Sequence, residues 1–115
     1  MTHSVELDLR RERAAKNQSL FREVNERIDA LSGPATSVAF ICECTNEACD
    51  ERISVARDEY ERIRGDSNSF FVVKGHEIRE IEEVVGSGEA HLVVSKLGTG
   101  EAVATGLDPR KRGQG

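Results

Sequence analysis

All three cysteines of this 115-residue chain fall in one short run, Cys42-Glu43-Cys44-Thr45-Asn46-Glu47-Ala48-Cys49. No other feature restricts the fold as tightly. A disulfide between Cys42 and Cys44 would close a very small, strained ring, and three cysteines cannot all pair within one chain. Thiolates gathered this closely suit a metal ion, and Cys3His is one of the structural zinc sets. The Cys-x-Cys-x4-Cys spacing differs from the paired Cys-x2-Cys knuckles, so it points to a metal without naming a known module. The alternation Val38, Phe40, Cys42, Cys44 predicts a strand over 37–44, with Ala39, Ile41 and Glu43 on the opposite face. Both cysteines then point the same way, and the polar turn at 45–48 can swing Cys49 back towards them.

Three histidines compete for the fourth position. His76 follows Gly75 at the end of a predicted strand, where a turn can aim its ring. His3 lies near the chain start, and His91 opens a strand among apolar neighbours. Imidazole suits zinc beside thiolates better than the carboxylates of Glu43, Glu47 or Asp50 do. The site read from the sequence is therefore Cys42, Cys44, Cys49 and His76 around zinc. Four protein ligands fill a tetrahedral sphere and leave no water to activate, which makes the site structural. Two other readings compete with it. The cysteines could be small buried hydrophobes. They could also form a thiol-based redox or metal sensor, in which the charge of Glu43 raises the thiol pKa values and a bound metal holds the thiolates.

Upstream, residues 9–31 contain no Gly or Pro and predict a long helix after a frayed start at 1–6. Ala14, Phe21, Val24, Ile28 and Leu31 recur at three-four spacing, with Asn17 filling the gap as a register-setting polar residue. Ser32-Gly33-Pro34 stops the helix. The seam Phe21, Val24, Ile28, Leu31 either packs on the domain behind it or binds a protein partner, a second copy included. Downstream, the pattern predicts a helix over 54–64 capped by Ser54, a strand over 70–74 and a helix over 77–85. Strands at 90–97 and 101–105 follow, joined as a hairpin by Gly98-Thr99-Gly100. The expected fold is α+β: a long N-terminal helix (1–34), a small zinc-stapled sheet with two short helices (35–106) and a flexible basic tail (107–115).

Only 37% of residues are hydrophobic and 4% aromatic, so the core is modest and a metal or a partner would help to stabilise it. A net charge of −5 argues against general polyanion binding. It leaves Arg10, Arg11 and Arg13, with Arg110, Lys111 and Arg112, as the footing for a nucleic-acid-binding zinc module, the third functional reading. No apolar run approaches the ~20 residues of a membrane span. The first residues lack the apolar core of a secretory signal, so a cytoplasmic location is expected. No phosphate-cradling Gly loop, Gly-x-Ser-x-Gly elbow or His-Glu-x-x-His is present. The reading is non-enzymatic.

Residues 11–28, Arg-Glu-Arg-Ala-Ala-Lys-Asn-Gln-Ser-Leu-Phe-Arg-Glu-Val-Asn-Glu-Arg-Ile, form a distinctive run. So do Phe40-Ile41-Cys42-Glu43-Cys44 with Cys49, Ile53-Ser54, Glu59-Tyr60 and Phe71-Val72-Val73-Lys74-Gly75-His76. Together they resemble a group of small actinobacterial proteins that share a Cys-Glu-Cys-x4-Cys motif and a downstream Gly-His. In that group the segment before the His usually reads Pro-Gly-His. Lys74 stands here in place of the Pro, which loosens the turn but keeps the histidine. The resemblance implies a host lineage and little chemistry, and the excess of Arg over Lys fits a GC-rich genome.

Overall fold

α1 (Thr2–Leu31) is one unbroken helix of 30 residues. The computed structural model describes residues 2–112, with side chains from 5 to 110. The helix begins at Thr2 rather than at Leu9, because nothing in the intervening sequence breaks the hydrogen-bond ladder. It ends where Gly33 adopts φ +58° and Pro34 follows.

β1 (Ser37–Ile41) and β2 (Arg52–Ala56) then form an antiparallel pair. α2 (Arg57–Arg64) leads to β3 (Ser69–Val73), β4 (Glu82–Ser87) and β5 (His91–Lys96), an antiparallel sheet in the order β3-β5-β4. α3 (Thr99–Gly106) and α4 (Pro109–Arg112) close the chain. The architecture is α+β, with a long N-terminal helix followed by small sheets and short helices.

Three segments depart from the sequence pattern. Residues 52–56 are a strand, not the first turn of a helix: Ile53 pairs with Phe40 and Val55 with Val38, and burial of these cross-strand pairs outweighs Ser54 as a cap. Ser54 Oγ instead lies 3.1 Å from Ser37 Oγ across the pair. The apolar residues read as a helix over 77–85 divide between a turn at 78–81 and β4, which pairs with β5. A bulge between Val84 and Gly86 leaves Val85 outside the register, so the four apolar residues never share one face. The expected hairpin and strand at 98–105 are replaced by α3. Gly100 has a physical reason to be there, since a Cβ would come 3.0 Å from the Arg11 carbonyl oxygen, where α3 lies against α1.

Asp108 and Arg110, within the segment read as a flexible tail, are held by side-chain contacts. Asp108 is buried and accepts hydrogen bonds from Arg64 and from Ser67 (2.6 Å). Arg110 pairs with Glu26 and with Glu61 (2.8 Å), and its guanidinium lies over the Tyr60 ring.

Aromatic contacts define the core. Phe40 stacks on Tyr60 at 4.1 Å between ring centroids, and Phe71 meets both rings edge-on at 5.9 and 6.0 Å. These rings join β1, α2 and β3 into one packed cluster with Val38, Ile53, Val55, Phe70 and Val94.

α1 docks through polar side chains. Gln18, Arg22 and Asn25 are fully buried beside Ala15, and each satisfies backbone groups of the domain. Gln18 Nε2 donates to the Glu43 carbonyl (2.8 Å), and Arg22 donates to the carbonyls of Ser67 (2.6 Å) and Ala104 (2.7 Å). Asn25 acts as a short extra strand edge: Nδ2 donates to the Ile41 carbonyl (2.9 Å) and Oδ1 accepts from the Ile41 N–H (2.8 Å). Below Gln18, the buried Lys96–Glu82 ion pair (2.6 Å) completes the network.

Candidate metal centre

Residues 42–44 leave β1 and run between the two sheets. The Cys42 N–H donates to the Glu51 carbonyl (2.9 Å) on one side, and the Glu43 N–H donates to the Phe71 carbonyl (3.0 Å) on the other. The strand alternation therefore continues past Ile41: Cys42 and Cys44 turn one way, and Glu43 turns under α1. Asn46 folds the following turn back, its Oδ1 accepting from the Ala48 N–H (3.0 Å) and its carbonyl from the Cys49 N–H (3.0 Å). Gly75 supplies the second turn with φ +98°, a value disfavoured for any residue with a Cβ. The His76 N–H then closes onto the Val73 carbonyl (2.9 Å) and the ring swings over the cysteines.

The ligand atoms of Cys42, Cys44, Cys49 and His76 all lie within 4.8 Å of one another. His76 Nδ1 is 3.5 Å from Cys42 Sγ and 3.7 Å from Cys49 Sγ. A tetrahedral zinc with ordinary Zn–S and Zn–N bonds would hold such a pair about 3.6 Å apart. Two further contacts fit the same purpose. The Val73 N–H points at Cys42 Sγ (3.2 Å), as a donor to a thiolate would. Glu51 Oε2 lies 3.2 Å from His76 Nε2, which assigns the ring proton to Nε2 and leaves the Nδ1 lone pair facing the sulfurs. Glu51 escaped the sequence reading. The only signal was a carboxylate close after the third cysteine, in a loop already rich in acids.

Cys42 and Cys44 are buried, while Cys49 and His76 sit half-exposed at the rim. Burial pushes the Cys42 thiol up, the neighbouring Cys44 and Cys49 add to that shift, and the Val73 N–H works against it. The Cys44 thiol is raised as well, again first by burial. The charge of Glu43 is thus not the leading influence on these thiols. Left as free thiols they are poor nucleophiles, whereas a coordinated cation would stabilise the thiolates. Glu43 itself is fully enclosed, and burial raises its carboxyl to about 7 against hydrogen bonds from Asn25 (2.7 Å) and the Phe71 N–H (3.2 Å). It joins the docked helix to β3, between the two cysteines that flank it in the chain.

His91 stands apart from this group. His91 is buried with its ring edge-on to Phe71 (6.1 Å), and the side chain of His3 lies outside the described residues. Among the seam residues, Val24 and Leu31 face solvent at 45% and 81% exposure. Phe21 is half-buried, and Ile28 packs against the core. Arg10 pairs with Glu80 (3.1 Å) and Arg11 donates to the Glu80 carbonyl (3.4 Å), so two of the three arginines at the helix start are engaged within the chain.

No protein-family model matches this chain, and neither a curated protein nor a solved structure is significantly similar to it. The likeness to small actinobacterial proteins rests on the motif residues alone. Among the described residues, no helix is long and apolar enough to cross a membrane.

Proposed function

We propose that this protein is a non-enzymatic, cytoplasmic zinc-binding protein of actinobacterial type. In this reading Cys42, Cys44, Cys49 and His76 hold a structural ion, and α1 engages a protein partner. The observation that carries the metal assignment is the convergence of three sulfurs and one imidazole nitrogen within 4.8 Å, from segments far apart in sequence. Thiolate-rich ligation favours zinc over magnesium or calcium. Four protein donors complete a tetrahedral sphere, which supports a structural role over a catalytic one. The position of the site supports it further. Residues 42–44 hydrogen-bond to both sheets, so an ion held there would tie the two sheets together.

Metal content per chain, measured by plasma mass spectrometry on protein purified without chelator or affinity nickel, tests the assignment. One zinc per chain, weakened in His76→Ala, is the expected result. A folded wild type without metal would overturn it.

The half-exposed rim favours a second reading, that of a thiol-based sensor. Peroxide would reach Cys49 and His76 before the buried pair, and zinc release at low peroxide would support this reading over a purely structural one.

A further inference from the structure

Arg110 sits in a notch between α1 and α2 that is shaped for a guanidinium. Its Nε donates to Glu26 Oε1 and its Nη2 to Glu26 Oε2 (3.1 Å), so one carboxylate is gripped by two bonds. Nη1 and Nη2 reach Glu61 Oε2 (2.9 Å) and Oε1 (2.8 Å) in the same way. The guanidinium carbon lies 5.8 Å from the centre of the Tyr60 ring. Two carboxylates and an aromatic ring around one planar cation recognise an arginine side chain. A lysine ammonium, a point charge, cannot match both carboxylates in this fork.

α1 and α2 build the notch without the tail. Glu26 is held by the Tyr60 hydroxyl (2.8 Å) and by Arg64 Nη2 (3.1 Å), and Glu61 follows Tyr60 on α2. Arg110 is fastened differently. Its four hydrogen bonds to α1 and α2 all leave from the guanidinium, while its backbone N–H donates to Asp108 within the same short segment (3.0 Å). Asp108 has its own anchors in Arg64 and Ser67, so Arg110 can leave without freeing it. The mouth is open as well: the side chains of Arg110 and Glu61 are 33% and 53% exposed, so a second guanidinium can approach while the first is in place.

We propose that Glu26, Glu61 and Tyr60 form a binding site for an arginine side chain presented by a protein partner, and that Arg110 is the chain's own occupant, displaced when the partner binds. The assignment rests on the reading of α1 as the interaction element, to which Glu26 belongs, and gives the partner a chemistry. A net charge of −5 draws a basic segment towards the domain. Exchange of one arginine for another keeps Glu26 paired and strands no carboxylate. The tether sets the threshold. A short tail presents Arg110 at an effective concentration on the order of millimolar, so a lone arginine competes poorly and a partner that adds other contacts competes well.

NMR titration of the full chain with the probe peptide acetyl-Pro-Arg-Lys-Arg-amide, against acetyl-Pro-Lys-Lys-Lys-amide as control, tests the exchange. Arg110→Ala empties the site and should bind the arginine peptide with a dissociation constant on the order of a millimolar. The wild type should bind it about tenfold more weakly, because Arg110 competes. The lysine peptide should bind R110A at least about tenfold more weakly than the arginine peptide. Adding Glu61→Gln to R110A should cost the arginine peptide about threefold. In the wild type, the Arg110 Nε–H resonance, assigned by its absence from R110A, should lose its hydrogen-bonded shift as the arginine peptide saturates.

No binding to R110A, equal affinity for wild type and R110A, or equal affinity for the two peptides overturns the site. An Arg110 Nε–H signal that keeps its shift while the peptide saturates the wild type overturns the displacement. Should R110A fail to fold, that wild-type signal alone decides. The probe carries only the arginine contact, so its failure would leave the wider reading of α1 standing. Zinc per chain, counted in the same samples, reports separately on the metal centre.

Discussion

Asn25→Ala should be among the most damaging single substitutions in α1, although the sequence presents Asn25 as one more polar residue on a charged helix. The side chain is fully buried and makes three hydrogen bonds. They go to the Ile41 carbonyl (2.9 Å), the Ile41 N–H (2.8 Å) and the Glu43 carboxylate (2.7 Å). Truncation leaves all three partners facing a gap that α1 keeps closed to water. Each orphaned buried group costs about 1–3 kcal/mol. The Ile41 groups are only part-buried and belong at the low end of that range. The sum is about 3–5 kcal/mol, a large share of the roughly 5–15 kcal/mol that holds a domain together. Ile41 directly precedes Cys42, so zinc affinity should fall with stability. Urea unfolding of zinc-loaded protein, compared at matched slope, measures the loss. A change below about 1 kcal/mol with the slope unchanged would refute the claim that the polar face of α1 anchors the helix.

Three further outcomes follow from the same contacts. Glu51→Gln should lower zinc affinity about 10–100-fold in a chelator competition while all four ligands remain, because the carboxylate orients the His76 ring. Lys96→Met should cost about 3–5 kcal/mol in urea unfolding by stranding Glu82 in the interior, and Lys96→Met combined with Glu82→Met should recover much of that loss. Acid should unfold the protein through Glu26 and Asp108. Burial works to raise both carboxyls, but hydrogen bonds from Arg110 and Tyr60 to Glu26, and from Ser67 and Arg64 to Asp108, outweigh it and hold both below their ordinary values of 4.5 and 3.8. A depressed folded value means that the stabilisation is present above the ordinary value and is lost as pH falls through the folded one. Thermal unfolding should therefore show a steep loss below about pH 4.5, and Arg110→Met should flatten that slope.

That Cys42, Cys44, Cys49 and His76 come together was legible before any fold was known, because much of that geometry is local. Two cysteines one residue apart on a strand must share a face, and a glycine before His76 can turn the chain where a branched residue cannot. Glu51 and Glu43 were not legible in the same way. Glu51 matters only because β2 returns beside β1 and sets it against the imidazole. Glu43 belongs inside only because Asn25 and the Phe71 N–H arrive from two other segments to bind it.

The sequence alone settled that a long helix exists, where it stops and which cysteines share a direction, since propensity, Gly-Pro punctuation and the two-residue strand period act between near neighbours. Tertiary structure decided which face of that helix points inward. Apolar periodicity left both outcomes open for the seam Phe21, Val24, Ile28 and Leu31; the groove beneath α1 offers orphan carbonyls and an N–H rather than a greasy cleft, so Gln18, Arg22 and Asn25 go in, Ile28 packs at the margin of the core, and Val24 and Leu31 stay out. The fates of 77–85 and 98–105 were decided at the same level. An apolar run as short as either can serve helix or strand, and the open edge of β5 in one case and the flank of α1 in the other made the choice.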